Sequence, residues 1–522
     1  MKKIEELTLE EKLGQLLCIG FKEKKLTEDL REMIRKYKFG NFILYSRNYD
    51  NIQELEKLVR DIHEEVIKSI GIMPFISIDQ EGGIKTDILD KYTYYPGHMT
   101  LSSTNISNAK QIGHLMGKHL ISLGININFA PVLDINNNPK NPVIGIRSFS
   151  DKKEIVSKYG IELIKGMQEE GIIATAKHFP GHGDTEIDSH LGLPILSFDK
   201  SRLYDMEIKP FKEAIENGVD NIMTAHIIFK EVDKDNPATI SKKIIKGILR
   251  DELKYKGLIT SDCMEMKAIS DIYTTPLGVA KSIKAGVNLV LICHTKEKQI
   301  ESLNKLKQFI EDNILTIDEI DERINRILEY KKKIYSIMEK KYFNNKNYLQ
   351  VFEENQIKTI QNIVDSSLTY VNGKKLELKG KILLYWCTKL SFQKTDGSLT
   401  METFGDLLKK EIPIITSISY NMDDEYSKEL VDKAVNYDTV IFLSYNSFSQ
   451  RSQSKMINEL NQICSNFYVI SIRNPYDYLS IEKNINFYTM YEPSPNSMRT
   501  IIKFLKGEIE PKGILPIELK HN

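Results

Sequence analysis

Eight short apolar runs, separated by helical patterns, constrain the fold of this chain more than any other feature of its sequence. The runs occupy residues 17–20, 41–45, 74–78, 127–133, 172–176, 221–225, 258–260 and 287–292. Continuous apolar strands that alternate with helices are typical of a parallel sheet covered on both faces. Eight such units in about 300 residues match a (β/α)8 TIM-like barrel in number and length. A doubly wound open sheet is the alternative.

Two of the intervening segments show helical spacing clearly. Residues 154–170 repeat apolar side chains at helical intervals and are followed by Gly171, a typical helix stop. Residues 205–217 show the same spacing and precede Gly218. We therefore predict one helix over each segment.

A second, smaller α/β unit follows the predicted barrel. The chain has 522 residues, whereas single cores stop growing near roughly 250–300 residues. Strand-like runs recur at residues 381–385, 412–415, 439–443 and 467–472. The sequence predicts a barrel over residues 1–335, a helical linker over 336–365 and an α/β sandwich domain over 366–522. Residues 371–374 are a turn, not a phosphate-binding glycine loop.

Charge and cysteine content exclude several classes of protein. The chain carries 72 Lys and Arg against 72 Asp and Glu, so bulk charge gathers neither nucleic acid nor an anionic membrane. No run approaches the 18–20 apolar residues of a transmembrane helix, and the start lacks the pattern of a secretory signal. The five cysteines are widely spaced, which disfavours a disulfide framework or a cysteine zinc site. We expect a cytoplasmic protein.

Polar residues directly follow most of the apolar runs. In a barrel, functional side chains lie where strands end at the carboxyl-terminal face. The residues at these ends include Asp79, Asp134, Lys177, His178, His226, Asp262, Cys293 and His294. Each of them alone is more simply interpreted as a helix cap or as a polar side chain whose hydrogen bonds are made within the fold. Together they predict a shared polar pocket suited to a ligand rich in hydroxyl groups, such as a sugar.

Residues 177–190 form the densest cluster, with three histidines on a segment rich in Gly and Pro that is predicted to be a loop. Asp188 lies two residues before His190, close enough for its carboxylate to orient the imidazole. A metal site built from His178, His182, Asp188 and His190 is one alternative, although it lacks a recognised ligand spacing. A purely structural loop is the other.

This loop resembles the signature of the β-N-acetylglucosaminidase branch of glycoside hydrolase family 3, the branch that trims and recycles cell-wall sugars. Further segments match in the family's order: residues 78–83, 128–134, 145–149, 261–266 and, for the second domain, 505–516. The resemblance is strong in the barrel and weaker beyond residue 350. It implies a barrel followed by a sandwich domain.

By this resemblance, Asp262 is the nucleophile and forms a covalent glycosyl-enzyme. His190 is the general acid and then the general base, and Asp188 holds it in place. An imidazole thus replaces one of the two carboxylates of the usual retaining pair. The residues expected to contact the sugar are Asp79, Arg147, Lys177 and His178, with His226 in the same pocket. We expect no metal and no cofactor.

The sequence departs from the family pattern at two places. Ile84 and Lys85 follow the Glu-Gly-Gly segment where an arginine is common, and Cys263 follows the nucleophile where an acidic residue is frequent. Larger β-glucosidases of the family carry a Trp after the nucleophile, whereas the one Trp of this chain is Trp386. A β-glucosidase is therefore the less favoured activity.

The favoured function is a retaining exo-β-N-acetylglucosaminidase acting on small oligosaccharides from cell wall or chitin. A β-N-acetylglucosaminide phosphorylase is the main alternative, since an imidazole that has given up its proton is neutral and does not repel phosphate. A sugar-binding protein without activity is the third. The second domain is expected to shape the cleft, and residues 444–450 could reach the substrate. The sequence leaves oligomeric state open.

Overall fold

Eight parallel strands close into a barrel in the computed structural model, which describes residues 2–345, 348–393, 401–423 and 425–520. The strands are β1 Leu17–Gly20, β2 Asn41–Leu44, β3 Phe75–Ile78, β4 Ile127–Asn128, β5 Ile173–Phe179, β6 Asn221–Thr224, β7 Leu258–Cys263 and β8 Leu289–Ile292. Each pairs with its sequence neighbours, and β1 closes the ring on β8 with Leu17 opposite Val290. Each of the eight predicted runs overlaps one barrel strand, so the barrel prediction is confirmed.

Helices surround the barrel and cover its strands. Their bounds are Leu9–Gln15, Glu28–Arg35, Ile52–Ile70, His98–Ser102, Ser107–Ser122, Lys153–Glu170, Lys200–Asp205, Lys209–Glu216, Lys243–Glu252, Lys267–Tyr273, Thr275–Ala285, Lys296–Glu311 and Ile317–Met338. Short ribbons pair Gln80–Gly82 with Lys85–Thr86 and Ile195–Leu196 with Ile228–Phe229. In the described residues, no helix combines the length and apolar character needed to cross a membrane.

The two predicted helices behave differently. The helix over 154–170 is present as Lys153–Glu170, and Gly171 ends it with a left-handed φ of 102°. The helix predicted over 205–217 is present but starts later, as Lys209–Glu216, and Asp205 is instead the last residue of a separate helix, Lys200–Asp205. Pro210 explains the break, since proline lacks an N–H and fits only the first turn of a helix.

A six-stranded sheet forms the core of the second domain. Its strands are β9 Thr369–Asn372, β10 Ile382–Cys387, β11 Ile415–Tyr420, β12 Thr439–Ser444, β13 Phe467–Ser471 and β14 Asn486–Thr489, in the order β9-β14-β13-β12-β10-β11. Only the β9–β14 pairing is antiparallel. The helices of this part are Glu354–Asp365, Phe404–Glu411, Lys428–Lys433, Arg451–Ile463 and Pro495–Leu505.

Three of the four predicted strands of this sheet lie where expected, and the other is displaced. The run at 412–415 is mainly a turn before β11, because Pro413 cannot donate to a sheet ladder; Ile414 is 78% exposed. The sequence reasoning did not find β9 and β14. The predicted boundaries at 335 and 365 stay predictions, although helix Glu354–Asp365 contributes Ile363 to the barrel core and Val364 to the core of the second domain.

Direct contacts join the two domains near the carboxyl-terminal face of the barrel. The buried Glu492 carboxylate, beyond β14, accepts hydrogen bonds from the Gly97 N–H (2.6 Å) and the Thr100 hydroxyl (2.7 Å). The Tyr476 hydroxyl lies 3.0 Å from Asn136 Nδ2, which donates to it. The backbone N–H of Ile514 in the C-terminal segment donates to Ser103 O at 2.9 Å. Loops of the second domain are thereby held beside the barrel rim.

Candidate active site

The barrel rim encloses a cavity of about 610 Å³. Six of the eight predicted site residues line it: Asp79, Arg147, Lys177, His178, His190 and Asp262. They come from the ends of β3, β5 and β7 and from the loops after β4 and β5. Asp188 and His226 are not among the residues that line it. The cavity therefore brings the nucleophile and acid/base candidates into one space of sugar size.

Asp262 is the next-to-last residue of β7 and points into the cavity with 22% of its side chain exposed. Its Oδ1 accepts a hydrogen bond from the Cys263 N–H at 2.7 Å, and its Oδ2 lies 4.0 Å from His178 Nε2. Burial alone would raise the pKa of Asp262, but His178, His226 and the Cys263 N–H hold it below its usual range. The carboxylate is therefore ionised at neutral pH. Cys263 supports it through its backbone N–H, which any residue except proline supplies at this position.

The buried carboxylate of Asp134 holds His178 in place. Asp134 Oδ2 lies 2.7 Å from His178 Nδ1, and Asp134 Oδ1 accepts from the backbone N–H groups of His178 (3.1 Å) and His182 (2.7 Å). Burial raises the pKa of Asp134, but His178 and these donors outweigh it and leave the pKa low. Because an ionised carboxylate only accepts hydrogen bonds, Nδ1 of His178 carries a proton and Nε2 faces Asp262. The sequence placed Asp134 at a strand end without giving it this role.

A buried carboxylate that the sequence reasoning missed organises the other side of the cavity. Glu81, only 1% exposed at its side chain, accepts a bidentate pair of bonds from Arg147 at 2.9 and 2.7 Å. Lys177 Nζ lies 2.7 Å from both Glu81 Oε1 and Asp79 Oδ1. The available signal was the position of Glu81 two residues after Asp79 in a β3 extension, where both side chains turn the same way.

The charges of this cluster depend on one another. Burial would raise the pKa of Glu81, but Arg147 and Lys177 hold it well below the usual range. Burial would lower the pKa of Lys177, yet Asp79 and Glu81 raise it. Lys177 therefore remains an ammonium group inside the protein. Its bond to Asp79 holds that side chain at the cavity wall, with Arg147 as a fixed donor beside it.

His190 is carried by the loop that follows β5. Asp188 Oδ1 accepts hydrogen bonds at 2.8 Å from both the backbone N–H and Nδ1–H of His190. The His190 side chain is 62% exposed, and its Nε2 makes no hydrogen bond to any described residue. The pair thus fixes the ring through one nitrogen and presents the other to the cavity. This arrangement suits an imidazole that gives and takes a proton at Nε2.

The base of the same loop is tightly held. His182 is buried, with Nδ1 2.9 Å from the Thr185 hydroxyl and Nε2 3.0 Å from the Ser189 hydroxyl. Burial lowers its pKa to about 4, so the ring is neutral. With both nitrogens engaged, His182 has no lone pair for a metal. In residues 2–345, 348–393, 401–423 and 425–520, no group of three His, Cys, Asp or Glu side chains could hold a metal ion.

His226 does not line the cavity, unlike the expectation from its strand-end position. Its Nε2 lies 3.0 Å from Cys263 O, to which it donates, and its Nδ1 lies 2.9 Å from the Thr239 hydroxyl. The side chain therefore packs beneath the end of β7 and acts on Asp262 from behind. A strand-end position shows which rim a residue belongs to, but not whether its side chain turns toward the opening.

Comparisons with known proteins agree on one family. The profile described as "Glycosyl hydrolase family 3 N terminal domain" matches residues 8–330. A relative named beta-hexosaminidase A, from Pseudoalteromonas piscicida, is 33% identical over 368 residues, which are 63% of this chain and 62% of that protein. A beta-hexosaminidase of Haemophilus influenzae is 35% identical over 297 residues, 56% of this chain and 83% of the relative.

Solved structures extend the similarity to the second domain. A family 3 beta-N-acetylglucosaminidase from Paenibacillus sp. str. FPU-7 superposes with a TM-score of 0.90 at 33% identity, over 99% of this chain and 100% of that one. A beta-glucoside phosphorylase superposes with a TM-score of 0.81 at 21% identity, over 98% and 95% of the two chains. The second likeness concerns the fold alone.

Replacing Glu81 by Gln tests the charge cluster. Removal of one partner leaves Lys177 and Arg147 buried without their shared counterion, so we expect unfolding to become easier by about 3–5 kcal/mol. Denaturant unfolding of the purified variant measures this. Asp61→Asn, which removes the exposed pair with Lys57 (2.8 Å), is the control and costs about 0–1 kcal/mol.

The stability difference between the parent and Glu81→Gln should also depend on pH in a defined direction. The folded-state pKa of Glu81 lies below the unfolded value of about 4.3, so its contribution is complete above that pH. It is lost as the pH falls toward the folded-state pKa, and the parent and Glu81→Gln curves then converge. Equal stabilities of parent and variant at neutral pH would contradict the assignment.

Proposed function

The chain belongs to glycosyl hydrolase family 3, and from that premise we propose that it is a retaining exo-β-N-acetylglucosaminidase. The observation that carries the proposal is that Asp262 and His190 line the same cavity of about 610 Å³. The surroundings of Asp262 keep its carboxylate ionised, and the His190 ring has one nitrogen without a hydrogen-bond partner among the described residues. The names of the relatives and of the Paenibacillus structure support the choice of an N-acetylhexosaminide as substrate.

In the first step, an Asp262 oxygen attacks the anomeric carbon of the terminal sugar. The glycosidic bond breaks as His190, protonated at both nitrogens, gives its Nε2 proton to the departing oxygen. Asp188 keeps its bond to Nδ1–H throughout and stabilises the imidazolium before transfer. The products of this step are a free leaving group and a sugar ester of Asp262 with inverted configuration.

In the second step, His190 is neutral and its Nε2 accepts a proton from water. The water oxygen attacks the anomeric carbon from the face that the leaving group vacated, and the carboxylate of Asp262 departs. Two inversions give net retention. Imidazole is suited to both directions of proton transfer because it titrates near neutral pH in general.

The remaining wall residues would hold the sugar. Lys177 Nζ donates a hydrogen bond to Asp79 Oδ1, so the second carboxylate oxygen of Asp79 is left to accept a hydrogen bond from a sugar hydroxyl. The ammonium group of Lys177 and the guanidinium group of Arg147 are donors around it, and the ring of His178 lines the same wall. Because these groups are fixed by Glu81 and Asp134 before substrate arrives, little ordering remains to be done on binding.

The proposal also includes the natural substrates of the enzyme, its cellular location and its domain boundaries. We propose small oligosaccharides from cell wall or chitin as substrates, with peptidoglycan recycling in the cytoplasm as the setting. The five cysteines are unpaired thiols, which suits a reducing compartment. The division into a barrel over 1–335, a linker over 336–365 and a sandwich domain over 366–522 is retained.

Product analysis from a defined substrate tests the activity. With N,N′-diacetylchitobiose in phosphate-free buffer, we expect N-acetylglucosamine released first as the β-anomer, as followed by proton NMR. Addition of inorganic phosphate should leave the product unchanged. N-acetylglucosamine 1-phosphate as the main product would replace hydrolase by phosphorylase, and an α-anomer released first would exclude retention.

Azide distinguishes the roles of Asp262 and His190. In Asp262→Ala, azide enters the space of the missing carboxylate and attacks an activated aryl N-acetylglucosaminide from the face opposite the leaving group, so we expect the α-glycosyl azide. In His190→Ala, azide replaces the second-step water and gives the β-glycosyl azide. Without azide, loss of the general acid should cost roughly 10²–10⁴-fold for poor leaving groups.

A histidine away from the site provides the control for azide rescue. His114 lies on helix Ser107–Ser122 and pairs with Glu169 at 3.0 Å. His114→Ala should hydrolyse at the parent rate and form no azide product. If Asp262→Ala gave the β-azide, or neither variant gave any, the two roles would be misassigned.

His178→Gln tests the electrostatic support of the nucleophile. His178 is the largest of the influences that lower the pKa of Asp262, whereas burial raises it and persists in the variant. The pKa of Asp262 should therefore rise, and the acid limb of the kcat/KM profile should move to higher pH. Profiles of parent, His178→Gln and His114→Gln measure this. A limb that stays in place in His178→Gln would contradict the interpretation.

A further inference from the structure

The second domain contacts one short segment of the barrel, residues 94–103, which we call the connecting segment. Near its start, Asn496 Nδ2 donates a hydrogen bond to Tyr94 O at 2.9 Å. At its end, the Ile514 N–H donates to Ser103 O at 2.9 Å. The second domain therefore holds this segment at both ends.

A buried carboxyl group of the second domain holds the middle of the connecting segment. Glu492, which follows β14, is only 1% exposed. Its Oε2 accepts hydrogen bonds from the Gly97 N–H (2.6 Å) and the Thr100 hydroxyl (2.7 Å), and its Oε1 accepts from the Ser494 hydroxyl (2.8 Å). Burial raises the pKa of Glu492, and these donors offset the rise only in part. Glu492 thus acts as a hydrogen-bond acceptor that reaches from one domain into the other.

The connecting segment supports the ribbon that carries Glu81. The Gly83 N–H, two residues after Glu81, donates to Tyr95 O at 2.9 Å. Gly83 also meets Gly97 backbone to backbone: a Cβ atom on Gly83 would lie 2.8 Å from Gly97 Cα, and its φ of +59° favours glycine. Because the two backbones are in direct contact, a displacement of Gly97 would displace the ribbon and Glu81 with it.

The same segment supports Arg147 through His98. His98 Nδ1 lies 2.5 Å from Arg147 O, and the His98 ring packs against Phe149 with 4.5 Å between the ring centres. Burial lowers the pKa of His98 to about 4, so the ring is neutral. Since a carbonyl oxygen only accepts, Nδ1 carries the proton and donates it to Arg147 O. The backbone of Arg147 is thereby bound to the residue that follows Gly97.

We propose that Glu492 is a positioning residue that aligns Glu81 and Arg147 for binding of the terminal sugar. Glu492 is not among the residues that line the cavity, so it acts through the connecting segment and does not touch the substrate. The bidentate bonds between Glu81 and Arg147 require a defined relative position of two separate loops, and both loops rest on this segment. The proposal rests on the function proposed above and gives the second domain a part in sugar binding.

Replacing Glu492 by Ala and by Gln tests this role. In Glu492→Ala, we expect KM for 4-nitrophenyl β-N-acetylglucosaminide and the Kd of N-acetylglucosamine to rise about tenfold, the size of one lost hydrogen bond to a charged group. The kcat should change little, because the sugar is held in the ground state and the transition state alike. Glu492→Gln should restore the parent values, since its amide can accept from Gly97 and Thr100 and donate to the Ser494 hydroxyl.

Steady-state kinetics and calorimetric titration with N-acetylglucosamine measure these effects. Thr100→Val removes one of the three donors to Glu492 and should raise KM and Kd in the same direction by a smaller factor, which provides a second, milder variant. Glu518→Ala is the control, because Glu518 also joins the domains, through an exposed pair with Lys152 at 3.4 Å, but does not contact the connecting segment. It should keep the parent KM, Kd and kcat.

A double-mutant cycle tests whether Glu492 acts through Arg147. In an Arg147→Gln background the bidentate pair is already lost, so Glu492→Ala should then raise Kd by much less than in the parent. The full tenfold rise in both backgrounds would show that the two residues act independently and would overturn the proposal.

The other outcomes also decide the matter. A lower kcat at unchanged KM in Glu492→Ala, equal impairment in Glu492→Gln, or the same change in Glu518→Ala would indicate a general structural role and overturn the positioning role. Unchanged KM and Kd in both Glu492→Ala and Thr100→Val would do the same, while the glycosidase stands. Failure of the parent to hydrolyse both the aryl glycoside and chitobiose would instead overturn the proposed function.

Discussion

The geometry of the site depends on the buried carboxylate of Asp134. It accepts hydrogen bonds from His178 Nδ1, from the His178 N–H and from the His182 N–H. The first bond aims His178 at Asp262, and the last fixes the start of the loop that carries His190. One side chain in the loop after β4 thus positions the histidine beside the proposed nucleophile and the start of the loop that carries the proposed acid/base. Without it, Asp262 and His190 would lie at the same rim of the barrel but would have no fixed position relative to each other.

Burial opposes ionisation of three carboxyl groups at this site, and specific partners outweigh it in each of them. Asp262 depends on two histidines and a backbone N–H, Asp134 on His178, and Glu81 on Arg147 and Lys177. Each partner is itself anchored, so the charges form a connected set and not separate pairs. Such a set costs desolvation energy, which suggests that it is retained for the orientation of substrate-facing atoms more than for stability.

The sequence predicted those parts of the fold that depend on local pattern. Strands of a closed parallel barrel are buried on both faces, so β1 to β8 are continuous apolar runs that are easily found. The same criterion overlooked β9 and β14, because an edge strand such as β9, with Tyr370 exposed, lacks a continuous apolar run. Pro210 and Pro413 each marked a break that spacing alone did not reveal.

The candidate site was predictable only in part, for a physical reason. Strand-end position and the loop motif identified the residues that reach the cavity, whereas Glu81 acts through pairing with residues distant in sequence. Arg147 is 66 positions from Glu81, and no periodicity connects them. The prediction for His226 failed in the opposite way. Its position at the barrel rim is as predicted, but its ring faces Cys263 O and does not line the cavity.

The chemistry of the proposed proton donor bears on the kind of leaving group that the site can accept. A carboxylic acid in that role becomes an anion after proton transfer and would repel a negatively charged leaving sugar nearby. His190 instead becomes neutral, so the departing group meets no new negative charge from its proton donor. An imidazole in this role therefore adds no negative charge to the cavity at the moment when the leaving group departs.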